Sequence, residues 1–287
     1  MSSYVIVTES GSDLTVQETD ALGVTMLDLS VIIEGEEPKN NRDVNVKDFY
    51  ALLRSKKNVT TSAINPDGFA KVFRQILETG KDILYMGFSS GLSSTYSAGK
   101  IAAEDLAEQY PDRRILTIDT LCASLGQGLL VVLAAELQKS GADLDTVYHF
   151  VNENRLHLCH EFTVNDLFFL KRGGRVSAAT AVVGTMLNIK PVMHVDNAGH
   201  LVKVGIARGR KASLDALVAK TAKNAIKPEE QVMYICHGDC IEDAEYVANK
   251  LRAELSVKEI RIGYTGPVIG AHSGPGTLAI FYLGKER

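Results

Sequence analysis

Between Gly87 and Thr95 the sequence GFSSGLSST places five hydroxyl side chains, Ser89, Ser90, Ser93, Ser94 and Thr95, close together. Two kinds of chemistry fit such a run. The first is nucleophilic: Gly87-Phe88-Ser89-Ser90-Gly91 matches G-x-S-x-G, and Asp119 and His272 follow in the order Ser, Asp, His. An elbow serine, however, sits at an immediate strand-to-helix turn, whereas here the helix resumes only around Ser94. The second is anion binding. An apolar run (Ile83–Met86), a Gly/Ser turn and a helix start bring free N–H donors, hydroxyls and the positive end of a helix to one spot. Ser93 or Ser94 can serve as the N-cap. A well-capped helix behind a solvated turn would need only one of these hydroxyls, so both functional readings stay open at this point.

Other residues could join such a site. Thr61-Ser62 lies in a hydroxyl-rich turn ahead of Pro66, a proline placed to open a helix. Gly266-Pro267-Val268-Ile269-Gly270-Ala271-His272-Ser273-Gly274-Pro275-Gly276 surrounds one histidine with glycines that allow close backbone approach; a plain glycine-rich connector reads equally well. Arg172-Gly173-Gly174-Arg175 and Arg208-Gly209-Arg210-Lys211 are compact basic turns suited to an anion, although each taken alone reads as a solvated turn in preference. No phosphate-cradling G-x-x-x-x-G-K-[ST] occurs, and Gly126-Gln127-Gly128 lacks the third glycine of a dinucleotide fingerprint. The chain is therefore not expected to carry its own ATP site. Cys122, Cys159, Cys236 and Cys240 include no Cys-x-x-Cys, and Cys236 closes an apolar run, so buried thiols are expected rather than a metal site.

The elements that must hold these residues alternate. Apolar strands are expected at Tyr4–Val7, Ile83–Gly87 and Ile115–Asp119, with helices at Thr15–Ala21, Ser94–Tyr110, Cys122–Lys139 and Leu144–Leu156. Short strands buried on both faces and alternating with helices argue a parallel sheet between helical layers. Beyond residue 160 a small-residue helix (Val176–Leu187) precedes a hairpin, Pro191–Val195 and His200–Gly205, turning at Asp196-Asn197-Ala198-Gly199. Helices at Ala212–Ala225 and Ile241–Leu255 and strands at Gln231–Cys236, Glu259–Tyr264 and Leu278–Leu283 complete a second α/β unit. The reading is two α/β domains, residues 1–160 and 161–287: a three-layer parallel-sheet unit and a mixed-sheet unit.

The 287 residues carry 31 basic and 35 acidic side chains, a net charge of −4 that gives no global attraction for nucleic acid. The start of the sequence has no basic, apolar leader pattern, and the uncharged runs Thr120–Ala135 and Val176–Ile189 fall short of the ~18–20 apolar residues of a span. Cytoplasm is the expected compartment, without stable membrane insertion.

Taken together, Val7–Leu14 (VTESGSDL), Thr61-Ser62, Gly87–Tyr96 (GFSSGLSSTY), Ile118-Asp119-Thr120, Leu170–Arg175 (LKRGGR), Leu187–Pro191 (LNIKP) and Gly266–Gly276 (GPVIGAHSGPG) resemble the DegV family in order along the whole chain. The resemblance implies two α/β domains with a long-chain fatty acid held between them, and no cofactor. It further implies a carrier without activity of its own, which presents the carboxylate to a separate ATP-dependent kinase subunit for conversion to acyl phosphate, a step toward phospholipid synthesis. Carried over by motif, Thr61, Ser93 and His272 would hold the carboxylate, with Ser62 and Ser94 behind them. Arg172 would face the incoming phosphoryl group or the kinase. Three stretches depart from the family pattern: Glu9 where Asp is usual, Ala63-Ile64-Asn65 in place of Gln-Pro-Ser, and the looser loop Asn40–Asp43. The competing enzyme reading is a serine hydrolase or thioesterase using Ser89 or Ser93.

Overall fold

The computed structural model describes residues 3–177 and 188–287; the expected helix Val176–Leu187 therefore lies almost wholly outside the described residues. Strands β1 (Tyr4–Glu9), β2 (Thr25–Leu27), β6 (Asp82–Gly87) and β7 (Ile115–Asp119) form a wholly parallel sheet in the order β2-β1-β6-β7. Their apolar residues are buried because helices lie on both faces. Helices α3 (Pro66–Leu77) and α4 (Thr95–Gln109) share one core with Val7, Ile83 and Tyr85, and α1 (Val16–Leu22), α5 (Leu125–Lys139) and α6 (Leu144–Asn154) belong to the other side. The direction of winding changes between β1 and β6. Loops at the carboxyl ends of parallel strands at such a switch point form the usual ligand crevice.

A mixed six-stranded sheet follows, in the order β10-β9-β8-β13-β11-β12. Its members are β8 (Leu158–Thr163), β9 (Ile189–Val195), β10 (Leu201–Arg208), β11 (Val232–His237), β12 (Glu259–Tyr264) and β13 (Leu278–Leu283). The expected division at residue 160 falls on β8. The β9–β10 hairpin forms with its turn where the Asp-Asn-Ala-Gly signal puts it. Helix α8 (Arg210–Asn224) and α9 (Ile241–Leu255) cover one face. The second basic turn opens α8, where Gly209 is the N-cap and Arg210 pairs with Asp243 at 2.8 Å.

The element joining the two sheets is α5. It is apolar nearly all round, as a helix buried on every side must be. It packs against β1 of the first sheet and against β8, β11 and β13 of the second, so one core cluster holds Leu84 and Met86 together with Phe162, Tyr234 and Phe281.

A third, small sheet was not expected from the sequence: β3 (Ser30–Ile33) pairs antiparallel with β4 (Lys39–Asn40) and β5 (Val59–Ser62). The stretch Val24–Ile33 is thus two strands in different sheets, and the hydroxyl-rich turn at Thr60–Ser62 is a strand. Helices α2 (Val46–Arg54) and α10 (Pro267–Ser273) pack on this sheet. The glycine-rich stretch is therefore partly helical, with Pro267 at its first turn, and not a connector. Tyr50 of α2 donates to the Thr265 carbonyl at 2.8 Å, and the Asn41 side chain bridges the Ser10 carbonyl and the Val268 amide.

Candidate functional site

The carboxyl ends of β1, β6 and β7, the strand β5 and the helix α10 converge on a cavity of about 320 Å³ lying between the sheets. Most of its wall is apolar. Leu29, Phe88, Leu92 and Ala123 come from the first half of the chain, and Phe162, Leu170, Val195, Leu201, Val268 and Phe281 from the second. Its polar lining includes Thr61, Ser93, Ser94, Arg175 and His272, and also Ser124, His160, Thr265, Ser273 and Thr277.

Thr61 and His272 are 211 positions apart, yet Thr61 Oγ1 lies 2.8 Å from His272 Nε2. Strand β5 and helix α10 bring them together. On its other side the ring lies against Gly173: a Cβ there would come within 2.3 Å of His272 Nδ1, so only glycine permits the approach. Burial, then the positive charges of Arg175 and Arg172, hold the imidazole pKa down at about 4, and it is neutral at pH 7. Ser93 Oγ pairs with Thr95 Oγ1 at 2.9 Å and accepts the Thr95 amide at 3.2 Å. Ser93 is therefore the serine that closes the start of α4. Ser94 occupies the N-cap position with a side chain that makes no capping bond, and the residue borders the cavity.

Of the residues expected at the site, Thr61, Ser93, Ser94 and His272 are brought to one cavity. Ser62 and Arg172 are outside its lining. Alternation along β5 turns the Ser62 hydroxyl outward to the Ala63 carbonyl at 3.3 Å. Arg172 ends helix α7 (Leu167–Arg172) exposed, its guanidinium 5.0 Å from the Phe169 ring centroid. The cation in the wall is Arg175. The chain reverses at Gly174, whose φ is +74°, and returns Arg175 so that its Nε donates to the Leu92 carbonyl at 3.1 Å and its Nη1 to Gly173. The sequence offered both arginines of the Arg-Gly-Gly-Arg turn, and only this reversal separates them.

The far wall holds a second histidine. His160 Nε2 accepts the Ala123 amide at 3.2 Å, which leaves Nδ1 to donate to the Leu158 carbonyl at 3.2 Å. Burial lowers its pKa far below the usual value, so a neutral ring with both nitrogens occupied faces the cavity. A Cβ on Gly126 would lie 2.3 Å from that Nε2.

The nucleophile arrangement does not form. Ser89 is fully buried outside the cavity lining and donates to the Gly199 carbonyl at 2.8 Å. Asp119 Oδ1 accepts the amides of Ser90 and Leu121 at 3.2 and 3.1 Å, and His272 pairs with Thr61. Three members of a relay are thus each committed elsewhere. Among the described residues no group of three or more metal-type side chains converges, and no helix is long and apolar enough to cross a membrane. The cysteines are free thiols, and burial raises Cys122, Cys159 and Cys236.

Fold and site together define a two-domain α/β protein with a largely apolar cavity whose wall includes a neutral histidine, hydroxyls and a guanidinium. Residues 3–285 match the model of the DegV family, described as uncharacterised, and the chain belongs to that family. A DegV domain-containing protein of Clostridium perfringens is 44% identical over 289 residues, covering 100% of this chain and 99% of that one. One from Streptococcus pyogenes is 34% identical over 99% of each. Among solved structures, a DegV family protein from Thermus thermophilus, described by its fatty acid binding, superimposes with a TM-score of 0.87 at 30% identity, covering 98% and 99% of the two chains. DegV of Bacillus subtilis, a fatty acid binding protein, does so with a TM-score of 0.84 at 25% identity over 99% and 100%.

Proposed function

We propose that this protein is a cytoplasmic long-chain fatty acid carrier, and that it presents the carboxylate to a separate ATP-dependent kinase. The observation that carries the reading is one cavity with a largely apolar wall that also receives Thr61, Ser93, Ser94, Arg175 and His272, the last paired with Thr61. Fatty acid binding by the Thermus thermophilus and Bacillus subtilis proteins supports it. Each methylene taken from water contributes ~0.8 kcal/mol, so a long chain binds strongly even though its carboxylate must be desolvated. The hydroxyls and the guanidinium replace the water lost by that carboxylate. Arg172, exposed beyond the cavity wall, is assigned to the incoming phosphoryl group or the kinase surface. The kinase would transfer the γ-phosphoryl group of ATP to a carboxylate oxygen and release ADP, leaving acyl phosphate on the carrier.

Mass spectrometry of an organic extract of the purified protein, with Ser93→Ala beside it, tests the carrier reading. Near-stoichiometric fatty acid in the wild type and depletion in the variant are expected. Lipid in neither, even after incubation with a panel of fatty acids, would overturn the reading. For the kinase step, hydroxylamine should trap acyl hydroxamate only when a partner kinase and ATP are both added. Trapping with ATP and the carrier alone would contradict it.

A further inference from the structure

At the switch point of the parallel sheet a buried carboxyl bridges the two strands that part there. Glu9 is the last residue of β1 and fully buried. Its Oε1 accepts the amide of Phe88, the first residue after β6, at 2.5 Å. Phe88 lines the cavity and opens the loop that carries Leu92, Ser93 and Ser94 to its wall. Glu9 thus sets where the carboxylate-binding loop leaves the sheet.

The other oxygen of Glu9 has no conventional partner. Oε2 is buried and unpaired, and so are Gln127 Oε1 and the Tyr85 hydroxyl, the groups whose side chains face Glu9. The Gln127 amide nitrogen is occupied, donating to Thr8 Oγ1 at 3.0 Å and the Met86 carbonyl at 3.3 Å, so its oxygen is the end left over. A carboxylate here would be a fully buried charge with one oxygen unsatisfied and no cation among the groups that act on it, a costly state. A proton on Glu9 removes that charge, and the neutral acid still accepts the Phe88 amide on Oε1.

We propose that Glu9 is a positioning residue for the fatty acid site, which holds the Phe88–Ser94 loop in its binding geometry as the neutral, protonated acid. This rests on the fatty acid reading given above. Burial pushes the carboxyl up to about 8, with the Asp119 charge adding in the same direction and the Phe88 amide, then the polar Gln127 and Tyr85 side chains, opposing. Facing groups that titrate or carry charge are Tyr85 on β6 and Asp119 at the end of β7; α4 contributes Tyr96, stacked on Tyr85 at 6.2 Å, and α5 the uncharged Gln127. Tyr85 stays neutral while Glu9 loses its proton, since burial holds it well above its usual value.

The test is the affinity for cis-parinaric acid, read by its fluorescence from about pH 6.5 to 9.5, in the wild type and Glu9→Gln. The amide of Glu9→Gln donates and accepts as the protonated acid does but does not titrate. The wild type should hold constant affinity at the acid end and then weaken by up to about tenfold for each pH unit above the Glu9 midpoint. Glu9→Gln should lack the loss centred on the Glu9 midpoint, leaving at most the change due to Asp13 near pH 7. A flat wild-type profile overturns the proposal, and so does an equal slope in both proteins. If the variant does not fold, a flat wild-type profile still overturns the proposal. Absence of probe binding at every pH overturns the fatty acid reading itself, an outcome distinct from binding that ignores pH.

Discussion

Replacing Arg175 by Met separates the charge at the cavity wall from the packing around it. The methionine keeps an apolar stem of similar reach and removes only the guanidinium. Arg175 spends two donors on the Leu92 and Gly173 carbonyls, and a guanidinium has five. The remainder are available to a carboxylate. Opposite unit charges about 4 Å apart attract by ~4 kcal/mol at an effective dielectric of 20. Arg175 is only half buried, so solvent screening reduces this toward the ~1.5–3 kcal/mol of a hydrogen bond to a charged group. That range corresponds to a loss of roughly tenfold to a hundredfold in affinity. Arg172, exposed and outside the lining, should change affinity by less than about twofold when replaced by Ala. Displacement of cis-parinaric acid by a long-chain fatty acid and by the primary alcohol of equal length gives the readout. The loss in Arg175→Met must be large for the acid and small for the alcohol, because the alcohol brings no charge. An acid affinity unchanged in Arg175→Met, or an equal loss in Arg172→Ala, would refute the assignment.

Gly126→Ala places a methyl 2.3 Å from His160 Nε2 and should displace the ring from the Ala123 amide; overpacking of this kind costs ~1–3 kcal/mol, and calorimetry should show Tm falling by several degrees. The folded His272 has its pKa depressed from 6.5 to about 4, so the unfolded chain binds a proton that the folded chain refuses as pH falls through this interval. Stability attributable to His272 is therefore present above the unfolded value and lost toward pH 4, by up to about 3 kcal/mol. Urea titrations should show a steeper acid loss in the wild type than in His272→Gln; parallel curves would remove the burial argument. Glu9 and Asp13, raised to about 8 and about 7, work in the opposite direction, which is why the variant and not the absolute curve is decisive.

The parallel strands were legible because they are short apolar runs, and α5 because a long uncharged segment with small residues can only be buried. The small sheet was not. In β5 the residues Thr60, Thr61 and Ser62 alternate in direction but not in polarity, so the period of two is silent. Helix α10 was hidden by its glycines and proline, which signal turns. It is helical because Gly270 fits against Tyr50 and Phe49 and the Val268 amide finds Asn41 two hundred residues away, contacts that no local pattern encodes. The site shows the same division. Hydroxyl and histidine types could be read from the chain, whereas the choice of Arg175 over Arg172 depends on one backbone reversal at Gly174. Glu9 left a signal that could have been used: an acid closing a strand that opens on the apolar run Tyr4–Val7.

The pairing of Thr61 with His272 fixes how the site must be polarised when a carboxylate arrives. A threonine hydroxyl has one proton to give. If His272 Nε2 is the acceptor, that proton is spent on the ring and Thr61 can only repel the ligand's oxygens. If Nε2 carries the imidazole proton, His272 donates to Thr61 Oγ1 and the hydroxyl proton is released toward the cavity. The neutral ring favoured by burial permits either arrangement, and an anion in the cavity favours only the second. Fatty acid binding should therefore bring His272 to the Nε2–H tautomer without charging it. Nitrogen-15 chemical shifts of the imidazole, measured with and without bound fatty acid at neutral pH, separate the two tautomers and the imidazolium. A bound state with Nε2 unprotonated would break the relay, and a doubly protonated ring would mean that the ligand's charge outweighs both burial and the Arg175 and Arg172 guanidinium groups. In either case Thr61→Val, which removes the relaying hydroxyl and keeps its volume, would lose its meaning as a probe of carboxylate binding. With the Nε2–H tautomer observed, Thr61→Val should weaken the fatty acid by roughly tenfold to a hundredfold, the loss of one hydrogen bond to a charged group.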